Sequence, residues 1–483
     1  MGIFPGTNSS LQHLSTWGSS KMHIQVVPIL ISIALHGCLD EFKDIQRHGR
    51  KLAGVERAND VATAMAIDSS GNAIVTGYSK GPGSGYDYLT LKYDPNGNLL
   101  WSERLDGGTK GDDKPVAVQT DSEGNVYVTG ASASKDNADY LTAKYSATGV
   151  LQWKERFNGA GNGFDTATGL AVTATGNVVV TGYSMGKNSG YDCVTVAYDS
   201  MGHELWNHVY NGPENEDDFA TSIGTDNSGD VIVTGYSKTK RDGAGYLTIK
   251  YSALGKPLWI RQFAIGETHV AKATSLVVDP DGGVCVTGYA QGSHPTYDYV
   301  TVRYDANGKA LWAKRLDGPG HGDDKPAAIV RTPDGDYIVT GESFGGDASG
   351  KDILTVRYNA DGREEWQKRF DGSGLSDSAS AMAIDPKTGF VVTGLSVGQD
   401  SGSDILTVKY QSDGEIGWSA KYNGQANDLD RPVSVGVNTE SEVYVAGYSW
   451  GGSGSGFDYV LLKYSVEGKL IWERRYNGPG SFH

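Results

Sequence analysis

The chain has 483 residues, of which 67 are glycine and only three are cysteine, and its formal net charge is −16 at pH 7. A single core seldom grows past about 250–300 residues, so this length predicts several domains or one large repetitive fold. The acidic balance argues against a nucleic-acid partner, because phosphate binding needs a basic face. Three scattered cysteines exclude a disulfide scaffold, and abundant tyrosine, tryptophan and valine exclude an intrinsically disordered chain.

The N-terminal segment has the features of a targeting sequence. Residues 24–35 are an apolar stretch of twelve residues, which is too short to cross a bilayer and typical of a signal peptide. The following Leu35-His36-Gly37-Cys38 resembles a bacterial lipobox, in which the cysteine is acylated and becomes the new N-terminus. We expect residues 1–37 to be a signal peptide with a polar leader, Cys38 to be the lipid attachment site, and residues 38–57 to form a lipidated linker. The alternative is a secreted or periplasmic protein with an incidental cysteine.

Residues 58–483 contain eight copies of one unit of about 53 residues, and such a fixed period is the signature of a repeat architecture. Each copy has a glycine that ends a Val/Ile-rich run, here called the marker glycine, and a complete Tyr-x3-Gly-x3-Trp motif. The marker glycines are Gly77, Gly130, Gly182, Gly235, Gly288, Gly341, Gly394 and Gly447. The tryptophans are Trp101, Trp153, Trp206, Trp259, Trp312, Trp366, Trp418 and Trp472.

One unit predicts four strands joined by glycine-containing turns. In the seventh copy the predicted strands are Ala379–Asp385, Phe390–Leu395, Asp404–Tyr410 and Ile416–Tyr422. Four strands in about 53 residues favour a propeller blade over a solenoid coil. The predicted fold is therefore all-β, an eight-bladed β-propeller of four-stranded antiparallel blades. The copies begin with a first strand and end with a fourth, so no strand exchange is expected where the ring closes.

The string Ala62–Ser79, followed by Tyr86–Asp94, resembles the bacterial SBBP repeat, a family named for seven-bladed β-propellers. The resemblance covers residues 58–483 and implies a propeller fold and an exported setting, without a general enzymatic activity. The eight copies depart from that family's name, and seven blades remain the alternative.

The Tyr-x3-Gly-x3-Trp hairpins resemble the tryptophan-docking repeats of quinoprotein dehydrogenases. This chain lacks the adjacent cysteines and loop insertions of those enzymes, so we expect no quinone cofactor and tryptophans that pack between blades. Gly-x-Ser-x-Gly, the nucleophile-elbow pattern of hydrolases, occurs five times at equivalent positions, which indicates blade geometry rather than catalysis.

A carboxylate precedes the marker glycine by seventeen residues in every copy except the fifth, which has Ala271. If the first strand lines the channel, these carboxylates ring its mouth and predict a site for a cation or a cationic ligand. The alternative is that each one binds backbone N–H groups in the turn between blades, a need that would recur in every blade. The residues are Asp60, Asp113, Asp165, Asp218, Asp324, Asp377 and Asp430.

Other candidates lie in loops that break the repeat. His269, His294, His321 and Asp323 fall near the fifth copy, and imidazoles with carboxylates predict a divalent metal site such as zinc. Exposed polar residues in glycine-rich loops are the alternative. Phe344 and Trp450 lie in loops expected on the same face, where an exposed ring stacks on a sugar or anchors a partner. The alternative for these rings is that they fold back on their own loops.

The function that these features favour is an exported, lipid-anchored propeller of the bacterial cell envelope. It would act as a non-catalytic binding or scaffolding module for an envelope protein or glycan, without catalytic residues and without a cofactor apart from the metal considered above. One alternative is a metal-dependent hydrolase or lyase that uses the His/Asp cluster. Another rests on a resemblance to an outer-membrane β-barrel assembly lipoprotein, also an eight-bladed propeller with tryptophan-bearing repeats, and implies an accessory role in outer-membrane protein assembly.

Overall fold

Each of the eight repeats forms one four-stranded antiparallel sheet, with its strands in sequence order. The computed structural model describes residues 59–478 except 82, 84, 135–136, 241–242, 264–269, 293–295, 347–349, 373–374, 399–400 and 453. The predicted signal peptide and linker, Cys38, His269 and His294 lie outside the described residues.

The first four sheets, blades one to four, comprise strands β1 to β16. Blade one is β1 (Asp60–Ile67), β2 (Ala73–Lys80), β3 (Tyr86–Tyr93) and β4 (Leu99–Leu105). Blade two is β5 (Asp113–Thr120), β6 (Val126–Ala133), β7 (Ala138–Tyr145) and β8 (Leu151–Phe157). Blade three is β9 (Asp165–Val172), β10 (Val178–Met185), β11 (Tyr191–Tyr198) and β12 (Glu204–Tyr210). Blade four is β13 (Asp218–Thr225), β14 (Val231–Lys238), β15 (Ala244–Tyr251) and β16 (Pro257–Phe263).

Blades five to eight comprise strands β17 to β32. Blade five is β17 (Ala271–Val278), β18 (Val284–Gln291), β19 (Tyr297–Tyr304) and β20 (Ala310–Leu316). Blade six is β21 (Asp324–Arg331), β22 (Tyr337–Phe344), β23 (Lys351–Tyr358) and β24 (Glu364–Phe370). Blade seven is β25 (Asp377–Asp385), β26 (Gly389–Val397), β27 (Ser403–Gln411) and β28 (Ile416–Tyr422). Blade eight is β29 (Asp430–Val437), β30 (Val443–Trp450), β31 (Phe457–Tyr464) and β32 (Leu470–Tyr476).

The blades close into a ring through their first strands. The first strand of every blade contacts the first strands of both neighbouring blades, and β29 of the last blade contacts β1 of the first. The predicted eight-bladed, all-β propeller is thereby confirmed, and the seven-bladed alternative is wrong. Among the described residues there is no helix of the length and hydrophobicity needed to cross a membrane.

The hydrophobic core lies between blades, because each cluster of buried side chains joins two neighbouring sheets. Ile74 and Tyr88 of blade one, for example, pack with Val118 and Val128 of blade two. The tryptophans of the repeat motif join the same interfaces. Trp312 of blade five donates its indole N–H to the carbonyl oxygen of Ala360 in blade six at 3.0 Å. The motif therefore docks each blade on the next, as expected from the sequence.

Two glycines in each repeat are required by close packing. Gly362, in the turn after β23, has φ +80°, and a Cβ added there would lie 2.7 Å from the Trp312 ring. The marker glycine of the same blade, Gly341, faces the bulged first strand, and its Cβ would lie 2.2 Å from the carbonyl oxygen of Lys325. Glycine at these positions lets neighbouring backbones and rings approach where any side chain would collide.

Candidate functional site: the mouth face at blade five

The linkers between blades and the loops between second and third strands share one end of the ring, because antiparallel strands alternate in direction. This end is called the mouth face. In blade five the backbone N–H of Tyr297, which begins the third strand, donates to Asp323 Oδ1 in the next linker at 3.1 Å. Loop and linker are therefore in contact on this face.

The seven first-strand aspartates begin their strands on the mouth face, and their carboxylates are buried. Each of these residues is at most 1% exposed. In each case one carboxylate oxygen accepts a hydrogen bond from the backbone N–H of a glycine in the preceding linker or, for Asp60, after the last strand. The pairs are Asp60 with Gly478 (2.5 Å), Asp113 with Gly107 (2.7 Å), Asp165 with Gly159 (2.6 Å), Asp218 with Gly212 (2.5 Å), Asp324 with Gly318 (2.6 Å), Asp377 with Gly372 (2.7 Å) and Asp430 with Gly424 (2.6 Å). These contacts favour the structural alternative, in which each carboxylate fastens the turn between blades.

Burial affects the ionisation of these carboxyl groups, since a buried charge loses hydration. Burial raises the pKa of Asp60, Asp113, Asp165, Asp324 and Asp430 above its usual value, against the lowering effect of hydrogen bonds from serine and glycine. It raises the pKa of Asp218 to about 6, and the nearby carboxylates of Asp192 and Asp217 add to the rise.

In four of the eight blades, a row of four polar side chains, one from each strand, crosses the sheet at its mouth-face end. In blade two, Asp113 pairs with Ser132 across the first two strands, and Ser132 pairs with Asp139. Arg156 on the fourth strand lies 2.8 Å from Asp139 and donates to Ser132 Oγ at 2.6 Å. We call this set the polar row. The same four residue types occur in blade one (Asp60, Ser79, Asp87, Arg104), blade six (Asp324, Ser343, Asp352, Arg369) and blade eight (Asp430, Ser449, Asp458, Arg475).

Sequence reasoning missed the third-strand aspartate and the fourth-strand arginine, although both recur with the repeat period. The serine of the row is the serine of the Gly-x-Ser-x-Gly pattern. In blade one, Ser79 is fully buried and its hydroxyl accepts a hydrogen bond from Arg104 at 2.8 Å. The pattern thus has a structural role in the blade.

Three groups of aspartates bring carboxylate oxygens within 4.8 Å of one another, a spacing that could hold a metal ion. They are Asp87/Asp106/Asp113, Asp298/Asp317/Asp324 and Asp352/Asp371/Asp377. In each group the fourth-strand arginine in register with Arg156 is paired with one carboxylate. The pairs are Arg104 with Asp87, Arg315 with Asp298 and Arg369 with Asp352. Each group therefore has one guanidinium beside three carboxylates.

Blade five has lost the negative charges at the start of its first strand. Blades two and six have the sequences Asp112-Asp113-Lys114 and Asp323-Asp324-Lys325, whereas blade five has Val270-Ala271-Lys272. Lys114 Nζ lies 3.1 Å from Asp112, and Lys325 Nζ lies 3.4 Å from Asp323. Blade five keeps the lysine, but in the part of the chain that the structure describes Lys272 has no carboxylate within ion-pair distance.

Lys272 is partly buried among aromatic and cationic side chains. Its Nζ lies 4.6 Å from the ring centroid of Tyr236 in blade four. Burial lowers the pKa of Lys272, and the positive charges of Lys238 and Lys325 lower it further. We call Lys238, Lys272 and Lys325 the lysine cluster. It joins blades four, five and six on the mouth face. Sequence reasoning missed Lys272, which alignment of the eight copies places in register with Lys114 and Lys325.

The described members of the predicted metal site are engaged elsewhere. His321 is highly exposed, and its Nδ1 lies 2.8 Å from Asp317. Asp323 accepts the Tyr297 N–H and pairs with Lys325. His321 has φ +50°, and the equivalent turn residues Asn162 and Asn215 have φ +51° and +56°. The Asp317–His321 contact therefore takes the place of the Asn158–Asn162 and Asn211–Asn215 contacts of other blades.

The two predicted ligand-stacking rings end second strands and are partly covered. The Phe344 ring lies against Gly322, where an added Cβ would be 2.5 Å from the ring. The Trp450 ring is edge-on to Phe457, with the ring centroids 5.1 Å apart. The Trp450 contact lies within its own loop, as in the alternative, whereas Phe344 covers the linker that precedes its blade.

The described cysteines are structural. Cys193 and Cys285 are buried free thiols, and burial raises the pKa of both. A buried thiol with a raised pKa is not a reactive nucleophile.

Comparison with known proteins gives one family match. The family model described as outer membrane protein assembly factor BamB matches residues 297–480, from the third strand of blade five to the end of blade eight. This match covers less than half of the chain, and it is not a match to the SBBP repeat.

A curated relative and two solved structures are also similar. The chain is 22% identical over 486 residues to an uncharacterized WD repeat-containing protein, L264, of Acanthamoeba polyphaga mimivirus. That alignment covers 80% of this chain, which spans only 33% of the length of the relative. Sqt1 of Chaetomium thermophilum has a TM-score of 0.49 at 13% identity, over 77% of this chain and 87% of that one. Periplasmic gluconolactonase PpgL of Pseudomonas aeruginosa has a TM-score of 0.46 at 12% identity, over 85% and 97%.

Proposed function

We propose that this chain is a non-catalytic binding module that holds a protein partner on the mouth face of its propeller at blades four to six. The observation that carries the proposal is the departure of blade five from the repeat. It keeps Lys272 and replaces both neighbouring carboxylates with Val270 and Ala271. A residue that every blade needs recurs in every blade, whereas a ligand contact is needed once. The loss of the first-strand aspartate at Ala271 is confined to blade five and therefore favours recognition over folding. The position of Val270 varies more, since Phe164 and Leu429 occupy it in blades three and eight.

The family match supports a protein as the partner. The matched family is described by its role in outer membrane protein assembly, and residues 297–480 include Lys325 of the lysine cluster. We therefore favour an envelope protein over a glycan. Export and attachment of lipid at Cys38 belong to the same proposal, since they would place the propeller beside such a partner.

The enzymatic alternative has less support. A metal site at blade five would need His321 and Asp323, which contact Asp317, Tyr297 and Lys325 in the structure. The proposal therefore assigns no catalytic residue and no cofactor.

Crosslinked affinity capture of the full-length protein from its native cells tests this function. The matched variants are Lys272→Gln and Lys114→Gln, which remove equivalent lysines in blades five and two. We expect one envelope protein to be captured reproducibly by the wild type and by Lys114→Gln, and to be lost with Lys272→Gln. A Cys38→Ala variant should move from the membrane fraction to the aqueous fraction. Capture of no specific protein by the wild type would contradict the proposal.

A further inference from the structure

We infer that the lysine cluster is an anion site that takes a carboxylate side chain from an acidic segment of the partner. This inference rests on the proposed function, because it names the chemistry by which the mouth face would recognise its partner. The ligand class is an Asp- or Glu-containing peptide.

The lysines of the cluster outnumber their carboxylate partners among the described residues. Lys238 lies 2.7 Å from Asp217, and Lys325 lies 3.4 Å from Asp323. Lys272 has no such partner among the described residues, so three ammonium groups share two carboxylates. Within the part of the chain that the structure describes, the cluster is therefore one negative charge short of balance. Partial burial strengthens the attraction for an anion, because fewer water molecules screen the charge.

The other blades show which group completes such a site. In blade two the lysine in register with Lys272 is paired with Asp112 at 3.1 Å while its ammonium group lies 5.3 Å from the ring centroid of Tyr78. In blade six Lys325 has the same two kinds of contact, with Asp323 and with Tyr297. Lys272 has the aromatic contact, with Tyr236, and lacks the carboxylate. A carboxylate from a partner would complete in blade five the arrangement that aspartates complete in blades two and six.

The rest of the chain makes this site selective. With a formal net charge of −16, the protein repels an acidic segment over most of its surface. A local group of unbalanced lysines is then where such a segment binds, and the binding weakens as salt screens the attraction.

Fluorescence anisotropy of the purified full-length chain with a fluorescein-labelled hexaglutamate peptide tests the inference. We expect saturable binding that weakens about tenfold in Lys272→Gln, the size expected for loss of one hydrogen-bonded charge pair. Val270→Asp restores the aspartate that pairs with the lysine in blades two and six, and it should weaken binding similarly while every lysine remains. Lys114→Gln is the matched control and should bind like the wild type.

Three further arms identify the source of the anion. Hexaglutamine, which has no charge, should not bind, and inorganic phosphate should displace hexaglutamate only weakly. Displacement by micromolar phosphate would overturn the assignment to a carboxylate. Glu267 is an acidic residue of the blade-five linker, so Glu267→Gln is also measured. Binding by Glu267→Gln but not by the wild type would show that the chain supplies its own carboxylate, and would overturn the inference.

Lysine acylation followed by mass spectrometry locates the bound peptide on the chain. We expect hexaglutamate to protect Lys272 from acylation and to leave Lys114 unprotected. If a partner is captured equally by the wild type and Lys272→Gln, and Lys272 is not protected, the inference fails while a binding function stands. If hexaglutamate protects Lys272 but no partner is captured, the proposed function fails and the anion site stands.

Discussion

The indole N–H of Trp472 in the last blade donates to the carbonyl oxygen of Pro95 in the first blade at 3.2 Å. This bond crosses the closure of the ring in the same way as the bond from Trp312 to Ala360 crosses an interior interface. The closure therefore relies on the same kind of contact that joins blades five and six.

Replacing Trp472 with Phe removes this hydrogen bond together with part of a ring, and should lower the free energy of unfolding. Trp366 is the control, because its buried indole nitrogen has no hydrogen-bond partner among the described residues. We expect Trp472→Phe to cost about 1 kcal/mol more than Trp366→Phe, the net worth of one hydrogen bond. Urea unfolding of both variants measures the difference, and equal costs would contradict a role for the bond in closure.

Replacing the marker glycine Gly341 with Ala should be strongly destabilising. The added Cβ would lie 2.2 Å from the Lys325 carbonyl oxygen and 2.6 Å from the Tyr299 hydroxyl. Because the nearest atom belongs to the backbone, we expect a loss of about 3 kcal/mol, typical of overpacking. Gly346→Ala is the control, since it meets no atom within 4 Å and adds only the strain of a positive φ. Thermal unfolding of both variants distinguishes collision from strain.

Blade three lacks the arginine of the polar row and has Val209 at that position, paired with Val194 as Arg156 is paired with Leu141. Val209→Arg should place a guanidinium beside Asp192 and stabilise the protein by about 1 kcal/mol, since charge-assisted hydrogen bonds exceed neutral ones. Val209→Gln supplies a polar side chain without the charge. A urea midpoint that is the same for both variants would show that charge is not what blade three lacks.

Stability should depend on pH through Asp218. Its folded pKa of about 6 lies above the unfolded value of 3.8, so the folded state binds the proton more tightly. The contribution of this group to stability is full below pH 3.8 and is lost as pH rises to 6. Asp218→Asn should therefore flatten the fall in stability between pH 4 and 6.

Asp94 provides the control of opposite sign. Hydrogen bonds from Asn98 lower the pKa of its carboxyl group, so its contribution is lost as pH falls. Asp94→Asn should leave the slope between pH 4 and 6 unchanged or make stability fall more steeply as pH rises. Urea unfolding across this range checks both variants, and a slope unchanged by Asp218→Asn would contradict the raised pKa.

The sequence predicted the blades well because eight copies constrain one pattern. In blade seven the predicted Ile416–Tyr422 is the observed fourth strand, and the predicted Ala379–Asp385 lies within the observed Asp377–Asp385. The repeat period predicts Asp113 at the mouth but does not connect it with Arg156, because the polar row depends on register across four strands.

The candidate site was predicted only in position. The departure of blade five from the repeat singled out His321 in the sequence, whereas the proposed site is centred on Lys272. The Asp317–His321 pair differs from Asn158–Asn162 in residue type but makes the same turn contact, and this equivalence depends on the left-handed backbone at residue 321. Residue identity alone does not reveal such a backbone conformation.

Because the ring closes without strand exchange, the chain can be circularly permuted at any linker between blades. Since β1 to β4 form one sheet and β29 to β32 another, every linker between blades joins two complete sheets. Circular permutants that begin at different linkers would all contain eight intact blades and the same interfaces. The junction between blades eight and one is therefore one of eight equivalent places at which this ring could be opened.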